Sequence, residues 1–225
     1  MSIGGQAQQK SNTPNIILIF MDDMGYGDLS CYGALDIYTP NIDRLASEGI
    51  RFTNFLSSQA VCSASRASIM TGCYANRVGI SGALFPGSKV GLASDEMTMA
   101  ELLKQKNYAT AIFGKWHLGD LYPMRPMDQG FEDSIIHRGG GIGQHSDPIG
   151  AEGKYTDPTL LKNGIETPMK GYCTDIYFDG AMDFIESAVK RKENFFTYIA
   201  TNAPHGPYHD VPEKLYQEYL KVDFR

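Results

Sequence analysis

Asn15-Ile16-Ile17-Leu18-Ile19-Phe20 is a continuous apolar, β-branched run, and Asp22 and Asp23 come directly after it. Such a run has no polar face to offer water. It therefore suits a strand covered on both sides, as in a parallel sheet. Two further runs of this type occur. Tyr108 to Phe113 leads into Gly114-Lys115-Trp116-His117, and Phe195 to Ala200 leads into Asn202-Ala203-Pro204-His205. Helix signals fall between them. Thr39-Pro40 reads as N-cap and first helical position, with Gly49 as the stop. Ser63 to Met70 is helical in composition and ends at Thr71-Gly72. Thr98-Met99-Ala100-Glu101 is a capping box. Asp175 to Arg191 is an amphipathic helix with Phe178, Ala181, Ile185 and Val189 on one side. Arg51 to Leu56 reads as a short strand. Leu121 to Met169, rich in Gly, Pro and Asp, reads as long loops with a small hairpin.

This alternation predicts an α/β fold with a mostly parallel sheet flanked by helices. In such sheets ligands bind beyond the carboxyl ends of the strands. The three apolar runs end in Asp22 and Asp23, in Lys115 and His117, and in His205. Their convergence argues for one polar site. Adjacent carboxylates at a strand end suit a hard divalent cation, which takes oxygen ligands; the plain alternative is a solvated turn. Cys62 stands at a helix N-terminus, where free N–H groups and the dipole stabilise an anion. Arg66 lies one turn on, on the same face. Taken alone, Cys62 is better explained as a small buried hydrophobe. Lys115 and His117, if extended, point to the same side, and His205 lies in a loop, where functional residues concentrate. The lone Trp116 reads as packing. Gly139-Gly140-Gly141-Ile142-Gly143 is weak as a phosphate loop, because it is read as following no strand and opening no helix.

The 225 residues suffice for one domain, and the formal net charge of −6, with no Lys/Arg cluster, argues against a nucleic-acid partner. No apolar run is long enough for a membrane span. Cys31, Cys62, Cys73 and Cys173 form no metal-ligand spacing and no disulfide framework. Residues 1–13 read as a flexible polar tail without an export signal. The location is periplasmic or secreted if a signal was lost, and cytoplasmic if the start is genuine.

Cys62-Ser63-Ala64-Ser65-Arg66, running on to Thr71-Gly72, resembles the sulfatase signature, in which the Cys is oxidised to formylglycine by a separate maturation enzyme. The family more often has Pro where this chain has Ala64; the Ala form is similar to the variant read by anaerobic radical-type maturation enzymes of bacteria. Asn15 to Asp23 resembles the first strand of the family with its metal-binding Asp pair. Gly114-Lys115-Trp116-His117-Leu118-Gly119 and Ala203-Pro204-His205 with Pro207 resemble its later motifs.

The resemblance implies an alkaline phosphatase-like fold and hydrolysis of a sulfated carbohydrate or aryl sulfate. Formylglycine made from Cys62 is hydrated, and one hydroxyl, on calcium with Asp22 and Asp23, attacks sulfur. Arg66 stabilises the diol oxygen and Lys115 the sulfate. His205 protonates the leaving alcohol, and His117 takes the proton that regenerates the aldehyde. Residues 14–225 correspond to the N-terminal part of the catalytic domain. In the family, further metal ligands, another sulfate-binding Lys and a smaller C-terminal domain lie beyond the position where this chain stops. The expected consequences are a weak metal site, an uncovered sheet edge and little activity from this chain alone. A phosphonate or phosphodiester hydrolase of the same superfamily is a second reading, and a non-catalytic remnant a third. Specificity is expected in residues 79–94 and 121–169, where His145 is a candidate substrate contact.

Overall fold

The computed structural model describes residues 13–144, 153–208 and 210–223. The polar tail, apart from Thr13, and His145 lie outside the described residues.

Six strands form one sheet in the order β1-β6-β2-β3-β4-β5. They are β1 (Ile16–Asp22), β2 (Ala109–Lys115), β3 (Asp133–His137), β4 (Thr159–Lys162), β5 (Ile165–Pro168) and β6 (Phe195–Pro204). The first four in that spatial order, β1, β6, β2 and β3, run parallel. β4 and β5 are antiparallel additions at one side and make the expected hairpin. The helices are α1 (Pro40–Glu48), α2 (Cys62–Thr71), α3 (Met99–Lys104), α4 (Cys173–Arg191) and α5 (Glu213–Tyr219).

The central strands are apolar all along because both sheet faces are covered. Ile112, Phe196 and Tyr198 face a core completed by Ala64, Ala67 and Met70 of α2 and by Trp116 and Phe131. Phe113, Ile135 and Ile199 face the other core, filled by Tyr177, Ala181 and Phe184 of α4. β1 stands at the end of the strand order, and there Ile17 and Ile19 are half exposed.

Four expectations need correction. Arg51 to Leu56 is not a strand. Its Phe52, Phe55 and Leu56 line an open groove beside Ile19 and Phe20 of β1, and the segment forms no ladder with that strand. The 121–169 segment holds β3, a strand of only five residues whose apolar signal is two residues long. The buried face of α4 runs through Cys173, Tyr177, Ala181, Phe184 and Ala188, leaving Val189 exposed. The apolar residues of α4 cover a wide arc, and the sheet selects the stripe with small residues that lets it approach. Finally, Lys115 and His117 are not both extended, since His117 has φ +57.

Candidate active site

Strand register sets the site. Asp22 of β1 is level with Pro204 of β6, and Lys115 of β2 is level with His137 of β3. Four parallel strands therefore end side by side, carrying Asp22, His205, Lys115 and His137. Gly114, just before Lys115, has φ +111, and a Cβ there would lie 1.9 Å from the Ala200 carbonyl oxygen. A glycine is required where β6 presses so closely on β2.

The centre is a buried charge cluster. Asp22 is 4% exposed, and Arg66 and Lys115 are wholly buried. Lys115 Nζ donates to Asp22 Oδ2 at 2.5 Å, and Arg66 Nη2 lies 3.4 Å from Asp22 Oδ1. Arg66 Nη1 donates to the Lys115 carbonyl at 2.8 Å and to the Tyr198 hydroxyl at 3.3 Å. The guanidinium also lies over the Phe20 ring, 5.3 Å from its centroid. Burial alone would raise the Asp22 carboxyl; Arg66 and Lys115 outweigh it and hold the group below its ordinary range. Two cations face one carboxylate, so the cluster carries a surplus positive charge. Arg66 Nε and Nη2 have no hydrogen-bond acceptor among the described residues.

α2 brings Cys62 to this cluster. Val61 caps it in an extended conformation and accepts the Ser65 N–H at 2.8 Å. Cys62 is the first helical residue, half-buried, and Arg66 follows one turn later on the same face. All four cysteines are free.

His117 is buried, with Nε2 2.8 Å from the Leu84 carbonyl. Burial, helped by the nearby Lys115 ammonium, pushes its imidazole down to about 4. His205 sits in the turn after β6, its Nε2 3.6 Å from Asp23 Oδ2. Asp23 is exposed and turns the chain with φ +64.

Sequence reasoning missed His137 and Asn202. His137 Nε2 meets Asn202 Nδ2 at 2.8 Å, and its Nδ1 meets the Arg138 carbonyl at 2.9 Å. Nδ1 therefore carries the hydrogen and Nε2 accepts from Asn202. Burial pushes His137 down to about 3. The Asn202 carbonyl in turn accepts the His205 N–H at 2.9 Å. The available signal was a histidine at the end of Ile135-Ile136, too short a run to read as a strand.

The protein-family model for sulfatases matches residues 14–223. The chain belongs to the sulfatase family. It is 36% identical over 214 residues to human N-acetylgalactosamine-6-sulfatase, covering 86% of this chain and 40% of that one. It is also 36% identical over 215 residues to the N-acetylglucosamine-6-O-sulfatase of Bacteroides thetaiotaomicron, covering 95% and 35%. The crystal structure of Ps i-CgsB superposes with a TM-score of 0.83 at 33% identity, over 92% of this chain and 48% of that one. That protein has also been solved in complex with k-i-k-neocarrahexaose. The sulfatase-family chain described here thus spans less than half the length of these relatives.

Asp22 and Asp23 offer a hard cation adjacent carboxylates, which fit calcium in kind. Calcium takes roughly six to eight oxygen ligands. Among the described residues no group of three His, Cys, Asp or Glu side chains is placed to hold an ion. The donor set therefore fits in chemistry and falls short in number.

Proposed function

We propose that this protein is the N-terminal part, residues 14–225, of a sulfuric ester hydrolase whose nucleophile is formylglycine made from Cys62 by a separate maturation enzyme. Its substrate class is a sulfated carbohydrate or aryl sulfate. The observation that carries this reading is the buried cluster of Asp22, Lys115 and Arg66. Its surplus positive charge lies one helical turn from Cys62, where an anionic ester would present its sulfur. Relatives named as N-acetylgalactosamine-6-sulfatase and N-acetylglucosamine-6-O-sulfatase, and one solved with k-i-k-neocarrahexaose, support the glycan substrate.

In this reading each side chain has one task. Lys115 holds a sulfate oxygen, and Arg66 stabilises the oxygen on residue 62; preorganised cations in a dry site act most strongly as charge develops. His205, partly exposed beside Asp23, gives a proton to the departing alcohol in this reading, and the burial that keeps His117 neutral supports its task of taking one. Calcium, held by Asp22 and Asp23 with residue 62, would supply the charge that orients and activates the nucleophile.

Mass spectrometry of the peptide containing Cys62, after co-expression with a maturation enzyme, tests the nucleophile. Turnover of paired sulfate and phosphate esters by the matured chain tests the chemistry. An unmodified thiol in every condition would favour a non-catalytic remnant. Preference for the phosphate or phosphonate ester would favour the second hydrolase reading.

A further inference from the structure

Ser63, the residue after Cys62, is wholly buried. Its Oγ accepts the Leu84 N–H at 3.0 Å. The carbonyl of the same Leu84 lies 2.8 Å from His117 Nε2. A carbonyl only accepts, so Nε2 must carry the ring hydrogen. In the neutral imidazole the other nitrogen, Nδ1, is then a bare lone pair. Nδ1 is buried, and no partner meets it among the described residues. Gly140 packs against the same end of the ring: a Cβ there would lie 2.8 Å from His117 Cε1 and 3.1 Å from Nε2. Backbone thus hems in the Nε2 end of the imidazole, from Leu84 and from Gly140. The residue that holds Leu84 sits on the helix that carries the nucleophile.

We propose that Ser63 is a positioning residue for His117: by holding the backbone of Leu84 at its N–H it keeps the Leu84 carbonyl in place, and with it the imidazole in its Nε2–H tautomer, and leaves the Nδ1 lone pair as the proton acceptor. Which tautomer a histidine adopts is set by the bond its other nitrogen makes. Here that bond is to a loop, and a loop carbonyl holds its direction only if the loop itself is tied down. Leu84 lies in an irregular stretch between short turns, without a ladder of its own. The Ser63 hydroxyl supplies the tie. It also couples acceptor and nucleophile, because any shift of the start of α2 moves Ser63 and Cys62 together. The role of Nδ1 as acceptor rests on the hydrolase reading above, whereas the tautomer and its dependence on Ser63 do not.

The experiment is long-range 15N–1H correlation of the histidine ring nitrogens in the unmodified 225-residue chain at neutral pH. The His117 signals are assigned by their loss in His117→Asn. The wild-type ring is expected to show a protonated Nε2 and an unprotonated Nδ1. In Ser63→Ala both nitrogens should move toward the average of the two tautomers, and Ser63→Thr, which keeps a hydroxyl, should restore the wild-type pattern. If Ser63→Ala does not fold, Ser63→Thr and Ser63→Val ask the same question, since they differ only in hydroxyl against methyl. A wild-type ring protonated at Nδ1, or a hydroxyl-free variant that keeps the wild-type pattern, would overturn the proposal. Neither result depends on turnover or on modification of Cys62, so this failure is distinguishable from failure of the hydrolase reading.

Discussion

Asp22→Asn should be among the most damaging isosteric changes in this protein. The substitution keeps the shape of the side chain and removes its charge, leaving Lys115 and Arg66 without their counter-ion. Both cations are wholly buried, and Asp22 itself is 4% exposed. Breaking a buried ion pair by removing one partner costs about 3–5 kcal/mol, because the remaining charge stays desolvated. For a chain of this size each kcal/mol corresponds to about 2–4 °C in the unfolding midpoint, so a fall of about 6–20 °C is expected. The assay is thermal and urea unfolding of wild type and variant, followed by circular dichroism. Asp23→Asn is the control: with its side chain 64% exposed, it should stay within about 0.5 kcal/mol of wild type. Lys115→Met in the Asp22→Asn background should recover part of the loss, since it deletes one orphaned charge. The Asp22 carboxyl is held below its ordinary value, so its contribution is present above pH 3.8 and is lost as pH falls through the lower folded value. Asp22→Asn should flatten that acid limb. A variant within about 1 kcal/mol of wild type, or a double-mutant cycle with no coupling between positions 22 and 115, would refute the reasoning.

Three further outcomes are expected. His117 titrates at about 4 in the folded chain against an ordinary 6.5, so the unfolded state binds the extra proton between these values, and stability should fall as pH drops through them. The loss is on the order of 3 kcal/mol, and urea midpoints across that range, with His117→Gln flattening the slope, measure it. Gly114→Ala places a Cβ 1.9 Å from the Ala200 carbonyl oxygen in a left-handed backbone, so β2 and β6 must separate; soluble yield and unfolding midpoint should both collapse. Inorganic sulfate should raise the unfolding free energy logarithmically with its concentration, by about 2.7 kcal/mol at one hundred times its dissociation constant, and Lys115→Met should leave only the linear rise of a non-specific salt effect.

The sheet was legible where three apolar runs were long enough to exclude any other reading. β1, β2 and β6 announce themselves by six or more residues each, and the polar residues that end them, Asp22, Lys115 and His205, could be grouped before any coordinates. β3 could not be found this way. Its two apolar residues, Ile135 and Ile136, gain their meaning only from the edge of β2 that they pair with. His137 was missed with it, and so was its partner Asn202, a polar residue at the end of a strand already recognised. The connection from Ser63 through Leu84 to His117 was illegible for a different reason. It runs through the backbone of Leu84, whose side chain carries no signal, and across a sequence gap that only tertiary packing closes. The opposite error occurred at Arg51 to Leu56, where side-chain composition fits a strand but the segment joins no ladder.

One physical condition governs both halves of the site. Water is excluded where β1, β6, β2 and β3 end, and exclusion penalises every charge that lacks a partner. Asp22 and a set of carbonyl and hydroxyl acceptors meet Lys115 and Arg66 there. No carboxylate among the described residues is hydrogen-bonded to His117 or His137, and the same burial, with the cations beside them, keeps both neutral. The outcome is a fixed excess of positive charge next to imidazoles that cannot cancel it by losing a proton. An anion entering beside Cys62 would relieve that excess without displacing any native pair, while the neutral His117 keeps a lone pair to receive a proton. Anion affinity and proton acceptance are thus two consequences of one buried arrangement. A change that lets water in, such as loss of the close β2–β6 approach at Gly114, should weaken both together.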